Sequence, residues 1–221
     1  MEPFVLLAIL LAGIFTLAIG LNYLRNYRPG KKRIQADLAK IRAEMEPLAA
    51  QLIPWTKEEL EQLSLNVINK ERKKGLVYDA KGVFTTIYHE PVIAWYYRRY
   101  KDKQENSLLY VRTSNHEIVY RTKGDETEVV VNNQFAGWIS GDGKLYDFRK
   151  KELLGQILPG KGEQSLPVVV KDKPAGALVN VSQAPKKVYQ RAMEMVANMP
   201  EEEENLFLAL TLKELVKVHT D

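Results

Sequence analysis

Apolar and polar positions follow three rhythms along this chain, and each predicts a different element. Residues 4–21 read FVLLAILLAGIFTLAIGL, with no charged side chain. Extended to Leu24, the run has the length that a bilayer core of about 30 Å requires of a helix rising about 1.5 Å per residue. Next, Ile34, Leu38, Ile41, Met45, Leu48 and Leu52 recur at spacings of 4, 3, 4, 3 and 4 among Lys, Asp, Arg and Glu. That heptad period predicts a helix with one apolar seam, either self-associating as a coiled coil or packed on the chain's own sheet. From 76 to 181 the period falls to two. Strands are expected near 76–79, 83–89, 92–100, 107–113, 117–122, 127–132, 135–140, 144–148, 153–158, 166–171 and 175–181.

The joints between these segments carry stop and turn chemistry. Pro29-Gly30 separates the first two helices. Thr56 with Glu59 three residues on is a capping box, and Leu60, Leu63 and Val67 give a short helix its apolar face, closed by Lys70–Lys74 and Gly75. Lys81-Gly82, Ser114-Asn115, Asn132-Asn133, Gly141-Asp142-Gly143 and Asp172-Lys173 read as hairpin turns, too short for parallel crossovers. VVVNNQFAG at 129–137 returns as VVVKDKPAG at 168–176, and Gly137 and Gly176 are expected where a strand bends or another backbone passes closely. Two C-terminal helices are expected, at 186–197 and after Pro200. The second opens on four Glu, ends on Lys213, Lys217 and His219, and is apolar all round over 205–212. It needs walls, and the β segment is the source of them.

Charge and composition narrow the function classes. The pI is near 9.0, but residues 1–33 hold the entire net charge of +4, and the rest balances 27 basic against 27 acidic groups. A nucleic-acid partner, which needs a cationic face on the folded domain, is not expected. There is no Cys, so disulfides and thiolate chemistry are excluded. The cations Arg25, Arg28, Lys31, Lys32 and Arg33 all follow the apolar run, which predicts a single-pass anchor with residues 25–221 in the cytoplasm. Within that run Ala8, Ala12, Thr16 and Gly20 form a strip of small side chains where another helix could pack.

Tyr146-Asp147, LLGQI at 153–157, the two VVV–AG hairpins and the helix at 205–218 together resemble the tubby C-terminal-like fold, shared with phospholipid scramblases, over about residues 76–218. The resemblance implies an antiparallel barrel closed on a hydrophobic helix. It also implies a membrane-associated binding module, with lipid headgroups as one ligand class. It carries over no functional residue.

Catalytic motifs are not found. His89, His116 and His219 are scattered, with no second His at metal-ligand spacing, and no cofactor or metal is expected. Gly137-Trp138-Ile139-Ser140-Gly141 places Ser off the centre of a nucleophile elbow, and Pro159-Gly160-Lys161-Gly162 lacks the spacer of a phosphate loop. The most unusual patch is Trp95-Tyr96-Tyr97-Arg98-Arg99-Tyr100. Alternation puts Trp95, Tyr97 and Arg99 on one face, where a ligand or partner could bind.

The expectation is therefore a single-pass membrane-anchored α+β protein in three parts: an anchor with basic flank (1–28), a helical stalk (29–75) and an antiparallel β domain with two C-terminal helices (76–221). Its expected function is non-enzymatic. It would be a membrane-tethered interaction module associating through the anchor and the seam Ile34, Leu38, Ile41 and Met45. An accessory subunit of a larger membrane complex and a lipid-binding module are the alternatives. Expected partners are the lipid bilayer and either copies of the chain or other membrane subunits.

Overall fold

The computed structural model describes all residues except 1–2, 28, 55, 57–60, 161–163, 182–190, 197–198 and 221. Two N-terminal helices, α1 (Pro3–Tyr27) and α2 (Lys31–Ala49), precede twelve strands. These are β1 (Leu63–Lys74), β2 (Tyr78–Thr86), β3 (Pro91–Arg99), β4 (Asn106–Arg112), β5 (Glu117–Lys123), β6 (Glu126–Val131), β7 (Gln134–Ile139), β8 (Lys144–Tyr146), β9 (Leu153–Ile157), β10 (Ser165–Val170), β11 (Lys173–Val179) and β12 (Met193–Met195). A last helix, α3 (Glu201–Thr220), follows.

The strands form one antiparallel meander in sequence order. Short turns force each strand to pair with its predecessor, because a parallel neighbour would need a crossover of a dozen residues. The two edges meet where Ser64 bridges Arg191 and the Ala192 amide donates to the Leu63 carbonyl at 2.7 Å. The result is a nearly closed barrel. Asn132-Asn133 and Lys171-Asp172 supply the positive φ values that tight hairpins need. The echoed hairpins share a device: the register slips between Val129 and Val130 and again between Val168 and Val169, opposite Gly137 and Gly176. A Cβ at Gly137 would lie 2.4 Å from the Tyr146 carbonyl oxygen, and one at Gly176 2.1 Å from that of Glu194. Both bends exist because glycine lets the next strand close in.

α3 fills the bore. Residues 206–212 are buried on every side, packed with Leu63, Phe84, Trp95, Tyr120 and Leu145 of the inner sheet face. Its acidic first turn is tied to the β10–β11 turn by Lys171–Glu202 at 2.9 Å and Lys173–Glu203 at 3.7 Å. From there it runs to the opposite end of the barrel, where the β3–β4, β5–β6 and β7–β8 connections surround its last turns.

The outer face of β2–β5 is covered by α2. Ile41 and Met45 are fully buried against Val83, Ala94, Tyr96, Leu108 and Tyr110, with Ile34, Leu38 and Leu48 beside them. Polar clamps frame this contact. Asp37, fully buried, accepts from the Tyr100 hydroxyl at 2.9 Å and pairs with Arg33 at 3.1 Å and Arg98 at 3.2 Å. Arg42 donates to Glu117 and, at 3.1 Å, to Asn133.

Several expectations are corrected here. The seam Ile34, Leu38, Ile41 and Met45 is consumed by the chain's own sheet, so α2 is neither a coiled coil nor a free stalk; a period of 3.5 serves a sheet face as well as a second helix. Residues 63–74, expected as the end of a helix, form β1: Leu63, Leu65 and Val67 also alternate by two, and pairing with β2 decides between the periods. Glu59 and Leu60, which would have opened that helix, lie outside the described residues. The turn expected at Lys81-Gly82 is mid-strand; a Cβ at Gly82 would lie 2.5 Å from Val67 and 3.0 Å from Trp95, so this glycine seats the indole. Of the helix expected at 186–197, residues 182–190 and 197–198 lie outside the described residues, and 193–195 are β12.

The membrane assignment is corrected as well. Among the described residues, no helix is long and apolar enough to cross a membrane. The single-pass fold, the membrane localisation and the cytoplasmic placement of residues 25–221 that followed from it are not supported.

Candidate functional site

Alternation along β3 divides its aromatic run between the two sides of the barrel wall. Tyr96 and Arg98 point out to α2, where Arg98 grips Asp79 at 2.7 and 3.0 Å. Trp95, Tyr97 and Arg99 face the other way but do not form one site. Trp95 is wholly buried deep in the bore against Phe84. Tyr97 and Arg99, further along the strand, line a cavity of about 650 Å³ at the barrel mouth, around the last turns of α3. That volume falls within the few hundred to about 1,000 Å³ usual for small-molecule sites.

The cavity joins the rim to the core. At its rim stand Arg99, Lys101, Lys103 and Lys217, with Glu105 and Asp125 of opposite sign. Arg99 lies over the Tyr78 ring, 5.4 Å from its centroid. Deeper in the wall are Tyr120, which the sequence does not single out, and Lys213, which it marks only as a helix-end cation. Tyr120 is 1% exposed, and its Oη has no hydrogen-bond partner among the described residues. Burial, with the charge of Glu214, pushes its hydroxyl far above the usual range, so it carries its proton at any neutral pH. Lys213 is half-buried, and burial holds its ammonium below the usual range; Glu214 and Glu105 pull the other way, and Lys217 adds to the depression. One signal for Lys213 was available: a cation directly after the all-round apolar stretch 205–212 of a helix whose exposed end is served by Lys217.

The C-terminal turn of α3 is latched at this end. Arg72 donates to the His219 carbonyl, Tyr78 Oη donates to that of Thr220 at 3.3 Å, and Thr220 Oγ1 donates to that of Lys217 at 3.1 Å. The His219 ring lies 5.2 Å from Phe84 and 6.4 Å from Trp95, and its Nε2 is buried without a partner among the described residues. Burial first, then Lys70 and Arg72, lowers its pKa to about 4. The unfolded chain therefore takes up a proton near pH 6.5 that the folded chain refuses until about pH 4. Stability from this residue is complete above pH 6.5 and falls as the pH drops through that window. The expected loss is about 2 kcal/mol, allowing for partial solvent access. Urea unfolding at pH 7 and pH 4.5 should show it in the parent and lose most of it in His219→Phe; equal losses in both would refute this role.

The remaining expected site residues are dispersed. Lys31 and Lys32 are exposed on the first turn of α2, Arg33 is held by Asp37, and Arg28 and the side chain of Arg25 lie outside the described residues. Ala8, Ala12, Thr16 and Gly20 are exposed on α1, Thr16 Oγ1 donating to the Ala12 and Gly13 carbonyls at 3.0 and 2.9 Å. Among the described residues no three His, Asp or Glu side chains converge as metal ligands. No family model, no curated protein and no solved structure matches the chain.

Proposed function

We propose that the chain is a non-enzymatic binding module whose ligand enters the mouth of the barrel, beside the C-terminal turns of α3. One observation carries this reading: a ligand-sized cavity is lined from a charged rim down to a wholly buried tyrosine whose hydroxyl has no partner among the described residues. A domain that merely filled its core would place phenylalanine at that position, since an unsatisfied buried hydroxyl costs about 1–3 kcal/mol. The resemblance to the tubby-like fold agrees with a binding role. Association with copies of the chain or with other subunits through α1 is the second half of the proposal, supported by exposed apolar side chains such as Phe4, Leu10 and Phe15.

The test is a fragment screen on the isotopically labelled full chain, followed by amide chemical shifts, with native mass measured on the same sample. Hits should move the signals of Tyr97, Tyr120 and Lys213, and the mass should exceed that of one chain. Hits that map to the α2 face or to β7–β8 would refute the mouth as the site. A monomer would refute association through α1.

A further inference from the structure

We propose that the mouth cavity receives the oxyanion of a small phosphate ester, with Lys213 as its counterion and Tyr120 Oη as a hydrogen-bond donor from the wall. This inference rests on the reading of the mouth as the ligand site and names what the site takes.

Three features point to an anion. First, Lys213 has no ion pair among the described residues, whereas the neighbouring Lys217 approaches Glu214 at 3.8 Å. Glu214 and Glu105 act on this ammonium only from beyond ion-pair distance, so a closer anion would offset the cost of holding it half out of water. Capping of the helix end does not explain it, because the carbonyls of Lys217, His219 and Thr220 are already served by Thr220, Arg72 and Tyr78. Second, Tyr120 is buried and protonated, so it offers a proton to an acceptor that the wall itself does not provide. Third, the lining carries five cations (Arg99, Lys101, Lys103, Lys213 and Lys217) against four acids (Asp102, Glu105, Asp125 and Glu214), and of these acids Asp102 already accepts from the Lys103 amide at 2.7 Å and Asn106 Nδ2 at 2.9 Å.

A phosphate monoester fits this set better than a carboxylate. It presents three acceptor oxygens and close to two negative charges at neutral pH. These oxygens match the kinds of group that the lining offers, an ammonium and a phenol donor, and the cavity has room for an esterified group. The polar rim over an apolar wall of Leu109 and Val216 suits either a soluble phosphate ester or the headgroup of a phospholipid.

Two matched pairs of probes test the proposal on the full chain by amide chemical shifts: glycerol 3-phosphate against glycerol, and dihexanoyl phosphatidic acid against dihexanoylglycerol. At least one phosphate should bind ten-fold or more tightly than its neutral twin, and less tightly as salt is raised. Binding of the first pair's phosphate assigns a free ester; binding of the second pair's alone assigns a lipid headgroup. Lys213→Met should weaken phosphate binding at least ten-fold and Tyr120→Phe about three- to ten-fold, as expected for a charged and a neutral hydrogen bond. Lys213→Arg should stay within a few-fold of the parent, and Lys151→Met, at the far end of the barrel, should change nothing. If Lys213→Met does not fold, Tyr120→Phe and the probe pairs decide. Phosphates binding no better than their twins, or undiminished by Lys213→Met, would overturn the proposal. If the neutral twins still shift the mouth signals, the anion assignment falls and the ligand cavity stands; if no probe shifts them, both fall.

Discussion

Leu208→Asp should abolish the cooperative melting of the chain. Leu208 sits in the middle of α3 with no exposed surface, inside a barrel whose neighbouring inner positions are Leu, Val, Phe and Ala. A carboxylate there has no cation or amide within its own turn, since the α3 amides are committed to the helix. Burial of an unpaired carboxyl combines with the loss of the leucine's packing, and the sum is comparable to the 5–15 kcal/mol that holds a typical domain together. Circular dichroism on heating should show no sigmoidal transition for this variant. Val218→Asp, on the same helix but 43% exposed, should melt within a few degrees of the parent. A Leu208→Asp protein that melts like the parent would mean that α3 does not fill the bore.

The second large effect is expected at α2. Ile41→Lys should destabilise the folded chain by about 3–5 kcal/mol, because Ile41 is 1% exposed against the outer face of β3 and β4. A long cation there either carries its charge into the contact or forces α2 off the sheet. Detachment would strand Asp37 and Arg98, which answer each other across that contact at 3.2 Å. The measurement is urea unfolding at two protein concentrations a hundred-fold apart, on parent and variant. A seam used for self-association would make the midpoint depend on concentration and Ile41→Lys would shift mass rather than stability. The packed arrangement requires a large loss of stability that is the same at both concentrations. An unchanged midpoint in the variant would refute it.

Much of the strand content between 83 and 179 is readable from alternation and turn chemistry. The reason is physical: each strand pairs with its neighbour in the chain, so a turn and the alternation on either side of it set the register. Asn132-Asn133 marks a turn because asparagine tolerates the left-handed backbone it needs, and the glycines of the echoed hairpins mark the close approach found at Gly137 and Gly176. The helix at 63–74 failed for the opposite reason. LSLNVINKERKK satisfies a helical and an alternating pattern equally, and the outcome rests on β2, which lies next to it, and on Arg191, more than a hundred positions away. The site was only half legible. Tyr97 and Arg99 stand out by composition, whereas Tyr120 and Lys213 come from ordinary-looking segments and meet only because α3 threads the barrel.

What the sequence determines by itself is local: the periods, the turns, the absence of thiols, and a C-terminal helix too apolar to lie on a surface. These follow from side-chain chemistry acting over a few residues. What the tertiary structure decides is which surface each apolar stripe meets. The α2 seam meets β3 and β4 rather than a second helix, since burial is non-directional and rewards any apolar face within reach. Among the described residues, the same arrangement leaves Lys213 without an ion pair and the Tyr120 hydroxyl without a hydrogen bond at the mouth. Whether a buried polar group is satisfied depends on all its neighbours at once, and only the closed barrel around α3 supplies them.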